Sequence, residues 1–163
     1  MTLAIGTAAP DFEVTSSDGR ALKLADFRGK KNVVIYFYPQ DFTGVCTRET
    51  CGFRDMYEDL KSHDTEVIGV SFDDDTSHEK FRKEYNVEFA LVADTNKELA
   101  RKYEATSMLG KIIGKAARVT YVIDKNGKIA GFFKAELSAG THVNGVRDLL
   151  ASLPLRGDSQ QES

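Results

Sequence analysis

Six consecutive apolar residues, Val33 to Tyr38, closed by Pro39, limit what this chain can fold into more than any other stretch. An unbroken β-branched and aromatic run describes a strand covered on both faces, of the kind found mid-sheet. Proline has no amide donor and ends it. From Thr43 to Leu60 the apolar residues Cys46, Phe53, Met56, Tyr57 and Leu60 fall on one side of a helix, with Glu49 in its first turns. A covered strand therefore feeds through a short loop into a helix. The order recurs: Glu66 to Phe72 reads as a second covered strand, and a helix through Tyr85 follows, with Thr76 or Ser77 as its expected cap.

Around these units, Asp11 to Thr15 alternates at period two and returns after Ser17-Asp18-Gly19-Arg20 through Ala21 to Leu24, the pattern of a hairpin. Ala90 to Val92 fits a short strand, Asn96 to Tyr103 a helix capped by Thr95 or Asn96, and Arg118 to Asp124 a strand. Lys125-Asn126-Gly127-Lys128 predicts a tight type I′ turn, with Ile129 to Lys134 pairing back. Thr141 to Leu153 forms the closing helix, stopped by Pro154. The sum is a three-layer α/β/α domain over residues 1–155, with a mixed central sheet and an N-terminal β-hairpin, followed by a polar tail over 156–163.

Length and charge exclude several classes. A chain of 163 residues is long enough to build its own core without staples. Its 22 Lys and Arg stand against 25 Asp and Glu, a net charge of −3, which disfavours the broad basic field that nucleic-acid binding needs. No apolar run approaches the ~20 residues of a membrane helix. No secretory or transit pattern opens the chain, so a cytoplasmic address is the expectation. His63, His78 and His142 are far apart without metal-ligand spacing; no metal is expected, and His78 and His142 are expected to face solvent. Gly110 to Ala116 only faintly follows a phosphate-binding loop, with too few residues between its glycines and Ala116 where Ser or Thr is needed.

The chemistry-bearing stretch runs from Tyr36 to Cys51 and holds both cysteines of the chain. Cys46 falls where a covered strand ends and a helix begins, the edge at which open α/β sheets bind ligands. A helix N-terminus offers unpaired N–H groups and partial positive charge, both of which favour a thiolate over a thiol. Cys46 is thus placed to act as a nucleophile, or, more blandly, to plug the helix against the sheet. Pro39, Thr43 and Cys46 stand in the spacing Pro-x-x-x-Thr-x-x-Cys. Thr43 can present its hydroxyl near the sulfur or simply cap the helix, and Pro39 can screen the pocket from water or simply end the strand.

This segment resembles the active-site signature of the peroxiredoxins, thiol peroxidases with a thioredoxin-like fold. The second cysteine of Cys46-Thr47-Arg48-Glu49-Thr50-Cys51 is similar in placement to that of the bacterioferritin comigratory protein or peroxiredoxin Q subfamily. The likeness extends to Gly6-x-x-Ala9-Pro10-Asp11-Phe12, to Gly52-Phe53-Arg54-Asp55 and to the strand Arg118 to Asp124. It departs at Gly44-Val45, where the family usually has Pro-Gly. The resemblance implies that Cys46 is the peroxidatic and Cys51 the resolving cysteine, forming a Cys46–Cys51 disulfide. It implies that Pro39, Thr43 and Arg118 complete the pocket; Glu49, one helical turn beyond Cys46, is placed as the candidate partner that orients Arg118. Without it, Arg118 would read as an exposed strand residue in a surface ion pair.

The implied activity is reduction of hydrogen peroxide and organic hydroperoxides, in antioxidant defence, without cofactor or metal. The expected reductant is thioredoxin or glutaredoxin, and the expected state a monomer or weak homodimer. Five helical positions separate the sulfurs by about 7.5 Å of rise and about 140° of rotation, too far for a disulfide, so the helix between them must open. Two other readings are a thioredoxin-type disulfide oxidoreductase, weakened by the missing Cys-x-x-Cys, and a non-enzymatic chaperone or binding module on the same fold.

Overall fold

The computed structural model describes residues 3–39, 41, 44–105, 118–134 and 139–152. Its strands are β1 (Glu13–Thr15), β2 (Ala21–Lys23), β3 (Asn32–Phe37), β4 (Thr65–Ser71), β5 (Ala90–Ala93), β6 (Val119–Ile123) and β7 (Ile129–Phe133). Its helices are α1 (Gly44–Ser62), α2 (Asp75–Tyr85), α3 (Glu98–Lys102) and α4 (Ala139–Ala151), with a 3-10 turn over Leu24–Phe27. β1 and β2 form the expected hairpin, and the central sheet has the order β5-β4-β3-β6-β7. β3, β4 and β5 run parallel, while β6 and β7 run antiparallel to their neighbours, so the sheet is mixed.

The apolar run of β3 is buried throughout and divides between two cores. Val33, Ile35 and Phe37 point to one face, against Phe12, Leu22 and Leu24 and against Leu99 of α3. Val34, Tyr36 and Tyr38 point to the other, against Phe53 and Tyr57 of α1, Phe81 of α2 and Val146 of α4. This alternation makes three layers, each fully buried large side chain contributing about 1.5–3 kcal/mol of apolar transfer. Gly52 of α1 lets α4 approach closely, since a Cβ there would meet Val143 at 2.8 Å.

Three local expectations need correction. α2 is capped by Asp74, whose side chain accepts from the Ser77 amide, rather than by Thr76 or Ser77. Asp74 stands two residues before Thr76 and three before Ser77, so the helix has already begun at Asp75 and both hydroxyl residues lie inside its first turn. Asp74→Ala is expected to lower stability by about 1 kcal/mol, measured by the urea unfolding midpoint. At α3, neither Thr95 nor Asn96 is the cap residue; Lys97 occupies that position, and the buried Asp94 carboxylate accepts from the Leu99 and Ala100 amides. The β6–β7 turn is not type I′, because only Gly127 has positive φ, at 77°. Asp124 takes the place of a second left-handed residue: its carboxylate accepts from the Asn126 and Lys128 amides, and the register shifts between Val122 and Ile123.

Candidate active site

α1 follows β3 and α2 follows β4, so both helices begin at the edge where the parallel strands end. β6 is antiparallel to β3 and pairs Val119 with Phe37, which puts Arg118, the residue before β6, at the same edge. Cys46 is the third residue of α1 and is fully buried in the core formed with Tyr36 and Phe53. Cys51 lies farther along the same helix and is partly buried; both thiols are free. Each cysteine is therefore helical, and the geometry that forbids a disulfide in an unbroken helix applies to this state.

Glu49, one turn beyond Cys46, is completely buried, and Arg118 is 5% exposed. Arg118 Nη1 lies 3.3 Å from Glu49 Oε1, so the guanidinium is held inside and not in the surface pair that strand position alone would suggest. The Thr120 hydroxyl donates to Glu49 Oε2 at 3.3 Å, and His142 Nδ1 of α4 lies 3.3 Å from the same oxygen and 2.7 Å from Thr120 Oγ1. Burial pushes the Glu49 carboxyl up to about 8, while Arg118 and Thr120 pull it down. Desolvation prevails over one full positive charge because no water reaches the carboxylate.

Pro39 follows the end of β3 and is half-buried. Thr43, residues 106–117 with the glycines of the phosphate-loop-like stretch, and residues 153–163 lie outside the described residues. The expectation that His78 and His142 face solvent is wrong: both are fully buried. Helical spacing carried the signal, since His78 shares a face with Phe81, and His142 precedes Val143 and Val146 on the apolar face of α4. Thr120 and Asp41 carried no such signal, because a threonine in a strand and an aspartate in a loop are ordinary residues there.

Asp41, Asp73 and His78 bring ligand-type atoms within 4.8 Å of one another. Both ring nitrogens of His78 already have protein partners, Asp41 Oδ2 at 2.7 Å and the Val92 carbonyl oxygen at 3.1 Å. Hydrogen bonds thus occupy the directions an ion would need. Among the described residues, no helix is long and apolar enough to cross a membrane.

A thioredoxin-like α/β domain with a buried cysteine in the first turn of a helix at the ligand-binding edge, and an arginine fastened one turn away, defines a thiol-based oxidoreductase. The sequence pattern of the AhpC/TSA family matches residues 5–132, and the chain belongs to that family, the peroxiredoxins. It is 39% identical over 149 residues to the chloroplastic peroxiredoxin Q of Oryza sativa subsp. japonica, covering 91% of this chain and 67% of that protein. It is 39% identical over 132 residues to peroxiredoxin Bcp of Bacillus subtilis, covering 79% and 83%. Among solved structures, peroxidoxin BcpB of Mycobacterium tuberculosis superposes with a TM-score of 0.82 at 26% identity, over 94% of this chain and 99% of that one. A peroxiredoxin Q of Xanthomonas campestris gives 0.80 at 25% identity, over 92% and 96%. The protein is a thiol-dependent peroxidase, of a family that uses peroxide substrates and thioredoxin-type reductants.

Proposed function

We propose that Cys46 is the peroxidatic nucleophile, that Cys51 resolves it, and that a cytoplasmic dithiol, thioredoxin or glutaredoxin, completes the cycle on a monomer. The observation that carries this reading is the burial of Cys46 in the first turn of α1, one helical turn from the carboxylate that fastens Arg118. The Cys46 thiolate attacks the distal peroxide oxygen; the O–O bond breaks, and the leaving oxygen takes a proton to become water or an alcohol. Cys46 is left as a sulfenic acid. A low thiol pKa alone does not make this fast, because nucleophilicity falls with basicity. Charge that develops on the leaving oxygen must be stabilised, and a permanently cationic arginine in a poorly hydrated pocket does so.

Cys51 then attacks the sulfenic sulfur, releasing water and forming the disulfide, which the external dithiol reduces by exchange. Because both cysteines come from one helix of one chain, no second subunit is chemically required. One equivalent of hydrogen peroxide added to the reduced protein is expected to lower its mass by about two units, with Cys46 and Cys51 joined in one peptide after digestion. A gain of about sixteen units that persists, or a disulfide-linked dimer, would refute the resolving role of Cys51. Insulin reduction without peroxide is expected to be negligible, which separates this reading from a thioredoxin-type oxidoreductase.

A further inference from the structure

The segment joining β3 to α1 is fastened, at Asp41, to a part of the fold that supplies none of Cys46, Glu49, Arg118, Thr120 or His142. Asp41 is 4% exposed. Its Oδ1 accepts from the Tyr38 hydroxyl at 2.5 Å, and its Oδ2 accepts from the Ser77 hydroxyl at 2.8 Å and lies 2.7 Å from His78 Nδ1. Its backbone N–H donates to Asp73 Oδ2 at 2.8 Å, an oxygen that also accepts from the Ser71 hydroxyl at 2.6 Å. The first turn of α2 and, through His78 and the Val92 carbonyl, β5 are tied to the Asp41 carboxylate, and the end of β4 is tied through Asp73 to the Asp41 backbone, so all three converge on one residue.

The proton count of this cluster is set by its acceptors. A carbonyl oxygen only accepts, so His78 Nε2, 3.1 Å from the Val92 oxygen, carries a proton. The 2.7 Å contact between Nδ1 and the Asp41 carboxyl requires another. Removing either partner would leave the other buried without its counterpart. A buried pair of this kind adds little net stability over apolar packing of equal volume, but it fixes direction and distance. The connection continues into α1: the Tyr38 ring stacks on Tyr36 at 5.4 Å between centroids, and the Tyr36 hydroxyl meets Thr50 Oγ1 at 2.9 Å, beside Glu49.

We propose that Asp41 and His78 are a positioning pair that holds the β3–α1 segment, and with it the first turn of α1, in the geometry required for peroxide attack. The proposal rests on the reading of Cys46 as the nucleophile. Its test measures only the first chemical step, in a Cys51→Ser background, by rapid quench with a sulfenic-acid-trapping dione and mass spectrometry after hydrogen peroxide addition. Asp41→Asn and His78→Gln are each expected to slow adduct formation at Cys46 by roughly 10- to 100-fold, the cost of a misplaced reacting group. Ser77→Ala removes one hydroxyl and leaves the helix-capping amide in place; it is expected to fold and to slow the step by a smaller factor.

The outcomes separate cleanly. If the parent forms no adduct at Cys46, the nucleophile assignment fails and the pair has no reaction to serve. If the parent forms it and the folded variants, Ser77→Ala included, form it equally fast at 25 °C with only a lower melting temperature, the pair is purely structural and the proposal is overturned.

Discussion

Cys46→Ser is expected to abolish peroxide turnover, while Cys51→Ser consumes about one equivalent of peroxide and stops at the sulfenic acid. In the proposed cycle the two results differ because the cysteines enter at different steps. Serine at position 46 is isosteric and keeps the helix start intact, but its hydroxyl is not ionised at neutral pH and cannot attack the O–O bond at a useful rate. Serine at position 51 leaves the first attack untouched and removes the only other thiol of the chain. Consumption of peroxide measured with thioredoxin, thioredoxin reductase and a nicotinamide reductant, together with the single-turnover stoichiometry, distinguishes the two. Sustained turnover by Cys46→Ser would remove Cys46 from the mechanism altogether. Cys46 is fully buried and Cys51 only partly so, and bulky alkylating agents are therefore expected to modify Cys51 first.

Much of this architecture was legible in the chain because its strands obey simple periods. The covered run of β3 and the change from continuous to helical spacing at Thr43 identify the strand-loop-helix unit that places Cys46, without any knowledge of tertiary contacts. Arg118 was different. Its spacing fits an exposed strand residue, and only the resemblance pointed inward; the structure shows that Glu49, 69 residues away in sequence, is what makes burial of the guanidinium tolerable. Long-range polar pairs of this kind leave no periodic trace. The same holds for the pairing of Asp41 with His78 and of Glu49 with His142: helical spacing puts each histidine on an apolar face, but nothing in the sequence names the carboxyl that helix packing brings to it. The turn and cap corrections have a more local origin, because aspartate competes for amides that the usual hydroxyl and Asn-Gly rules assign elsewhere.

Opening of α1 between the cysteines is expected to become easier as pH rises from 6 to 8, and Glu49 is the reason. Glu49 lies between Cys46 and Cys51, so an opening that lets the sulfurs meet is expected to take it out of its buried seat. In water its carboxyl titrates near 4.3; in the closed helix burial pushes it up to about 8. A raised value in the closed state means that this state holds the extra proton, so its advantage is complete below about 4.3 and is lost as pH climbs through the window to about 8. Each pH unit within that window shifts the opening equilibrium up to about tenfold, and pH 6 to 8 shifts it about fifty-fold. Arg118 and Thr120 from β6, His142 from α4, Tyr36 from β3 and Cys46 from α1 surround this carboxyl. All remain in Glu49→Gln, whose amide oxygen still accepts from Arg118. The rate of disulfide formation from pre-formed sulfenic acid is therefore expected to rise more steeply with pH in the wild type than in Glu49→Gln, after both share the same dependence on the attacking thiolate of Cys51. Parallel pH profiles for the two proteins would show that Glu49 stays buried during resolution, and that the helix opens by a route that spares it.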